Sequence, residues 1–215
     1  TYYVPQNPDS LIARMGREAF NNRLDSIFTE ARKSIFGGGK VAYAFSGLRS
    51  PYNHGNQPSL HIPWLFNFSG KPCLTQKWTR LICDEFYGTD GEHGYGYGQD
   101  EDQGQLGSWY VLSAMGLFDV QGGACSEPTY QIGSPQFDEI RIRMGRMNAG
   151  GRTFTIRTEN NSDKAYYVQS AAFNGKPLDQ CWLYRSDVYN GGELVLRMGE
   201  EPSDVWSDSK PAVSR

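Results

Sequence analysis

The hydrophobic residues of this chain change their spacing once, near Val120, and that change excludes most architectures. Ahead of it they recur at roughly helical spacing. Leu11, Met15, Phe20, Leu24, Ile27 and Phe28 follow a candidate cap, Asp9 or Ser10, and predict one long helix that Gly37-Gly38-Gly39 should stop. Pro58 suits the first turn of a second helix carrying Ile62, Trp64, Leu65 and Phe68. A third is expected from about Leu74 to Phe86, with Trp78, Leu81 and Ile82 inward. A fourth is expected from near Gln103 with Leu106, Trp109, Tyr110, Leu112, Met115 and Leu117. Beyond Val120 the alternation falls on every second residue, in Thr129–Ile132, Glu139–Arg143, Arg152–Arg157, Ala165–Gln169 and Glu193–Arg197. Turn signals such as Asn160-Asn161-Ser162-Asp163 and Asn174-Gly175-Lys176-Pro177 separate these runs. Successive strand side chains point to opposite faces, so this period fits antiparallel sheet with one face buried, as in a sandwich. Helices first and strands after predict an α+β chain, not a Rossmann-like one, divided as 1–119 and 120–215.

Composition closes other classes. The 215 residues carry a formal charge of -3, too small to argue for nucleic acid or an anionic membrane as partner. No apolar run approaches the roughly 20 residues of a membrane span. Cys73, Cys83, Cys125 and Cys181 form no C-x-x-C pair, and with three histidines they argue against zinc; their disulfide state stays open. Aromatic residues make up 13% of the chain and suit the C–H faces of sugars, although each taken alone is better explained as core. Thr1 is not an initiator Met and begins no signal-peptide pattern, so a processed product or a fragment is expected.

The most unusual stretch is Gly94-Tyr95-Gly96-Tyr97-Gly98-Gln99-Asp100-Glu101-Asp102-Gln103-Gly104-Gln105. Acids before an apolar helix can simply cap it and meet its positive end. One cap needs one acid, however, and the glycines let a polar ligand approach the backbone. Carboxylates so placed can act as general bases or bind a hard cation such as calcium. The second candidate is Tyr52-Asn53-His54-Gly55-Asn56-Gln57-Pro58-Ser59-Leu60-His61, whose amides and imidazoles suit sugar hydroxyls. A plain loop, with Asn56 as a cap and His61 packed inside, explains it equally well.

Together the two segments resemble glycoside hydrolase family 92, the calcium-dependent exo-α-mannosidases. The resemblance rests on Gly55 to Asn67, on Gly70-Lys71-Pro72 with Thr75-Gln76-Lys77-Trp78-Thr79-Arg80, and on the acidic segment running into Ser108 to Gly116. Tyr130 to Pro135, and Leu178 after Asn174-Gly175-Lys176-Pro177, extend it through the strands. It implies the last helices of an (α/α)6 barrel followed by an antiparallel, sandwich-like region. It implies calcium, which engages O2 and O3 of mannose, with ligands that stay unassigned. Base carboxylates would correspond to Asp100 and Asp102, and Asn56, Gln57 and His61 would lie near the substrate. Hydrolysis would invert the anomeric carbon, one carboxyl protonating the leaving oxygen while a carboxylate activates water.

Two departures qualify this. The family's general acid is a Glu in an E-G-x-x-W-Q-Y segment closely followed by a stretch resembling Thr1-Tyr2-Tyr3-Val4-Pro5. It is therefore expected ahead of Thr1, and the chain alone is expected to be an inactive fragment whose partners are that N-terminal part and mannose-containing glycans. Members cleaving α-1,2 links often carry His-Glu where this chain has Asn56-Gln57. That leaves α-1,2, another α linkage and a mannose phosphodiester open. The family points to a periplasmic or extracellular location. The alternatives are a glycosidase of another (α/α) barrel family, or a non-catalytic carbohydrate-binding or structural module using Trp182, Tyr184 and Trp206.

Overall fold

The computed structural model describes residues 2–38, 49–88 and 103–211. Two helices come first, α1 (Pro8–Met15) and α2 (Arg17–Arg32), where the spacing predicts one. Gly16 separates them at φ +80°, its N–H closing α1 on the Ile12 carbonyl. A left-handed residue suits glycine and ends a helix. The cap is Asn7, whose side chain accepts from Ser10 N–H at 3.1 Å, rather than Asp9 or Ser10. The expected second helix is instead two 3-10 turns, Gln57–Ser59 and Ile62–Asn67. Pro58 and Pro63 donate no N–H, so a regular α ladder cannot run through this stretch. Pro63, Trp64, Leu65, Phe66 and Asn67 are all buried in succession, so the segment has no wet side.

Helix α3 (Pro72–Glu85) turns Trp78, Ile82 and Cys83 inward at helical spacing. Helix α4 (Gln105–Ala114) stops short of Leu117. Gly116, at φ +72°, turns the chain so that Leu117 enters β1 (Leu117–Phe118). Then come β2 (Thr129–Ile132), β3 (Glu139–Arg143), α5 (Arg146–Ala149), β4 (Thr153–Glu159) and β5 (Tyr167–Phe173). The chain continues through β6 (Lys176–Pro177), β7 (Trp182–Tyr184), α6 (Arg185–Tyr189) and β8 (Gly192–Gly199).

The strands form a three-stranded sheet, β1-β2-β7, and a five-stranded one, β3-β4-β8-β5-β6. Every pairing is antiparallel except β4 with β8, which run parallel from Phe154 opposite Gly192 to Glu159 opposite Arg197. Alternation sets which residues face inward but not strand direction, and the elements between β4 and β8 are long enough for a parallel return. Leu117, Ile132 and Leu183 from the first sheet share one core with Phe154, Ile156, Val168, Leu194, Leu196 and Met198 from the second. The α+β architecture expected from the change of period is therefore the observed one.

A second, aromatic core gathers Phe20, Phe28, Phe36, Trp64, Phe66, Trp78 and Trp109. The seam between the two cores is both packed and hydrogen-bonded. Trp64 stacks on Phe118 with ring centroids 5.3 Å apart. Gly133 leaves no room beside Trp64, since a Cβ there would lie 2.8 Å from the indole. Arg80 is 4% exposed, and its Nη1 donates to the Pro135 carbonyl at 2.6 Å. Its Nη2 donates to the Ser162 carbonyl at 3.3 Å. Gln76 Oε1 accepts from Val168 N–H at 3.0 Å, and Asn67 Nδ2 donates to the Ile132 carbonyl at 3.0 Å. All four cysteines are free thiols. Among the described residues, no helix is long and apolar enough to cross a membrane.

Candidate functional site

Asp100, Glu101 and Asp102 lie outside the described residues, but the chain on either side of residues 89–102 is described. On the downstream side Gln103 and Gly104 are both left-handed, at φ +62° and +89°. The cap position of α4 is held by Gly104, and Gln105 is its first helical residue. A left-handed non-glycine such as Gln103 costs about 1–2 kcal/mol. That cost is borne at the residue where the acidic segment hands over to the helix.

The upstream side ends on Tyr87, and one buried histidine connects it to the rest. His54 has no exposed surface. Its Nδ1 lies 2.8 Å from Tyr52 Oη and its Nε2 lies 2.8 Å from Tyr87 Oη. Tyr87 in turn donates to the Leu106 carbonyl at 3.0 Å, in the first turn of α4. The ring sits among Trp109, Phe86 and Tyr87, with centroids 4.2, 4.8 and 5.5 Å away. Burial in that aromatic box pushes its pKa down to about 3, so it is a neutral imidazole with one donor and one acceptor.

Asn56 and Gln57 are exposed neighbours on the turn that His54 anchors. Ser59 N–H donates to the Asn56 carbonyl at 2.8 Å, and Leu60 N–H to the Gln57 carbonyl at 3.2 Å. This leaves both side-chain amides free of the backbone of the turn. The far end of the turn is tied down by Trp109, whose indole N–H donates to the Leu60 carbonyl at 2.8 Å. His61 takes another direction. It is 6% exposed, its Nε2 meets the Tyr2 carbonyl at 3.1 Å, and its ring stands edge-on to Tyr3 at 5.5 Å. Burial lowers its pKa, with the Tyr2 carbonyl working against that shift. The structure thus groups Asn56 with Gln57 at the surface and packs His61 inside.

Between this turn and α4 lies a pocket of about 220 Å³, lined by Leu60, Gln103, Gly104, Gln105, Trp109 and Phe118 among others. It has an apolar wall and opens beside the residues that follow the acidic segment. Among the described residues no group of three His, Cys, Asp or Glu side chains is placed to hold a metal.

His54 lies inside a segment singled out by its residue types, but its role as the hub was not legible there. Its partner Tyr87 is 33 residues away, and no local pattern announces that contact. The strand half contributes less to a sugar-binding reading than its aromatics suggested. Trp206 is 5% exposed, and its indole N–H is bonded to the Leu178 carbonyl at 2.7 Å. Its face is committed to the sheet core and cannot stack on a ligand.

Comparison with known proteins agrees with this geometry. Residues 1–200 match the model of the glycosyl hydrolase family 92 catalytic domain. An uncharacterized secreted glycosidase of Arthroderma benhamiae is 28% identical over 207 residues, which are 94% of this chain and 23% of that protein. The family GH92 alpha-mannosidase BT3965 from Bacteroides thetaiotaomicron superposes with a TM-score of 0.79 and 30% identity, over 98% of this chain and 26% of its own. The family GH92 inverting mannosidase BT2199 from the same species gives a TM-score of 0.74 and 29% identity, over 97% of this chain and 28% of its own. The chain spans about a quarter of the length of each of these relatives.

Proposed function

The chain belongs to glycosyl hydrolase family 92, and from that premise we propose that it forms part of an inverting exo-α-mannosidase acting on terminal α-mannosyl residues of glycans. The observation that carries the reading is the tie between three places. The exposed Asn56-Gln57 turn, the upstream flank of the acidic segment at Tyr87 and its downstream flank at Leu106 are joined through His54. Acids that merely decorate a surface do not need a buried hub on both sides of them. The mannosidase relatives support the choice of sugar, and the secreted relative supports a periplasmic or extracellular location.

In this proposal Asp100 or Asp102 takes a proton from water as the water oxygen bonds to the anomeric carbon. The bond from that carbon to the leaving oxygen breaks on the opposite face, and a carboxyl group protonates the leaving oxygen. That carboxyl is assigned to the part of the enzyme that the longer relatives have beyond the matched quarter. Two neighbouring aspartates titrate as a pair, so the base is written as the pair. The exposed amides of Asn56 and Gln57 bind the leaving-group side by hydrogen bonds without charge. That chemistry is compatible with an α-1,2 link, another α linkage or a mannose phosphodiester. Calcium belongs to the proposal as a cation bound by mannose hydroxyls, with its protein ligands unassigned and no step assigned to it.

The test uses the full-length enzyme that carries this sequence, with aryl α-mannoside and α-mannobioses of each linkage as substrates. Inversion requires that the first sugar seen by proton NMR is β-mannose. Asp102→Asn should lower kcat by about 10³-fold or more while circular dichroism is unchanged. Near-normal turnover by that variant sinks the assignment.

A further inference from the structure

The directions of the hydrogen bonds around His54 have a consequence beyond holding the site together. Tyr87 has one hydroxyl proton, and it goes to the Leu106 carbonyl at 3.0 Å. The His54 Nε2 facing Tyr87 at 2.8 Å must then carry its own proton and donate. In a neutral ring Nδ1 is left as the acceptor, filled by Tyr52 at 2.8 Å. The opposite tautomer would turn the Tyr52 hydroxyl toward the Ser59 carbonyl, which is 3.4 Å away, and would make Tyr87 choose between two acceptors. The shorter set wins. It forms a one-way chain: Tyr52 to His54, His54 to Tyr87, Tyr87 to the backbone of α4.

We infer that His54 is a positioning residue which, through Tyr87, holds the first turn of α4 in register with the exposed Asn56-Gln57 turn. The inference rests on the mannosidase reading for its kinetic consequence, but not for the tie itself. Each link is a single bond at normal length between buried or half-buried groups, and no water competes for His54, which has no exposed surface. Trp109 repeats the tie from the other side, its indole bonded to the Leu60 carbonyl at 2.8 Å. Both bonds connect the same two elements, so the turn and the helix are fixed in rotation as well as distance. A displacement of about 1 Å between groups that handle one substrate can cost about 10²-fold in rate.

The test uses three variants of the full-length enzyme. Tyr87→Phe removes one oxygen and with it the bonds to His54 and to the Leu106 carbonyl. His54→Phe keeps the ring packing and removes the relay. His54→Gln keeps a donor that can reach Tyr87. For Tyr87→Phe and His54→Phe, kcat should fall by about 10–100-fold with KM within about threefold. His54→Gln should recover most of that loss. A merely structural role predicts the reverse: a lowered melting temperature with kcat per folded molecule within twofold, and no benefit from Gln. Hydrogen exchange reads the tie without substrate. In Tyr87→Phe, the amides of residues 54–60 and of 105–109 should lose protection together, and loss in one segment alone overturns the inference. Should the wild-type enzyme leave every α-mannoside intact, the mannosidase reading falls while the exchange result still decides the tie.

Discussion

The helical half and the strand half bury different chemistry. Ahead of α4 the core holds Asn21, His54, His61, Asn67, Gln76 and Arg80 among large aromatics. Among the strands the buried polar residues are Thr129, Gln131, Ser134 and Thr158, with no charged side chain or histidine among the described residues, and the core around them is mostly aliphatic. The difference follows from how backbone groups find partners. A sheet satisfies its own N–H and C=O groups along the ladder, so its core needs only apolar bulk. Short helices, 3-10 turns and loops leave carbonyls such as that of Leu60 to be met by side chains. The half that must bury polar side chains is also the half that can arrange them for chemistry.

Three measurements would break or sharpen that contrast. The largest expected effect is at the seam. Arg80→Ala should cost roughly 3–5 kcal/mol by chemical denaturation, because it removes a buried guanidinium and leaves the buried Pro135 carbonyl without that donor. A loss below about 1 kcal/mol would mean that the other seam contacts suffice to join the halves and that water replaces the guanidinium. Next is the sheet core. Leu196→Ala, at a fully buried position, should cost roughly 2–4 kcal/mol and leave turnover per folded molecule unchanged. A fall in turnover of tenfold or more would show that the strands do more than support the site.

The smallest effect is on pH. An unfolded imidazole takes a proton near its ordinary value of 6.5, whereas burial keeps folded His54 unprotonated down to about 3. Across that window the unfolded chain binds more protons, so stability falls as pH is lowered, by about 1.4 kcal/mol per unit. His61, also lowered by burial, acts in the same sense. Asp84 and Asp119 are raised by burial and act oppositely below their folded values, gaining stability as pH falls. Urea denaturation at pH 6 and pH 5 should show a slope shallower by about one proton in His54→Gln than in the wild type. Equal slopes would place the acid sensitivity outside the buried relay.

Much of the fold was legible because hydrophobic spacing is a local property. The period of two in Arg152–Arg157 and Glu193–Arg197 marked strands, and the structure has them as Thr153–Glu159 and Gly192–Gly199 with Phe154, Ile156, Leu194 and Leu196 buried. The same reading missed the break at Gly16, although Met15 and Phe20, five apart, do not share one helical face. It also missed the 3-10 turns around Trp64, where burial on every side erases periodicity. The residue types that favour sugar recognition at Asn56 and Gln57 stood out, and their exposure on one turn is compatible with that use.

The sequence by itself determined where helices yield to strands, which faces turn inward and which segments carry carboxylates and amides. Each of those follows from residues within about four positions of one another. Only the tertiary structure decided that β4 and β8 run parallel, that His61 faces Tyr2, and that His54 joins Tyr52 to Tyr87. It also brought Arg80 to the Ser162 carbonyl, 82 residues along the chain. Spacing chooses a face, but the partner a buried donor meets there is set by how distant segments pack, and no local pattern records it.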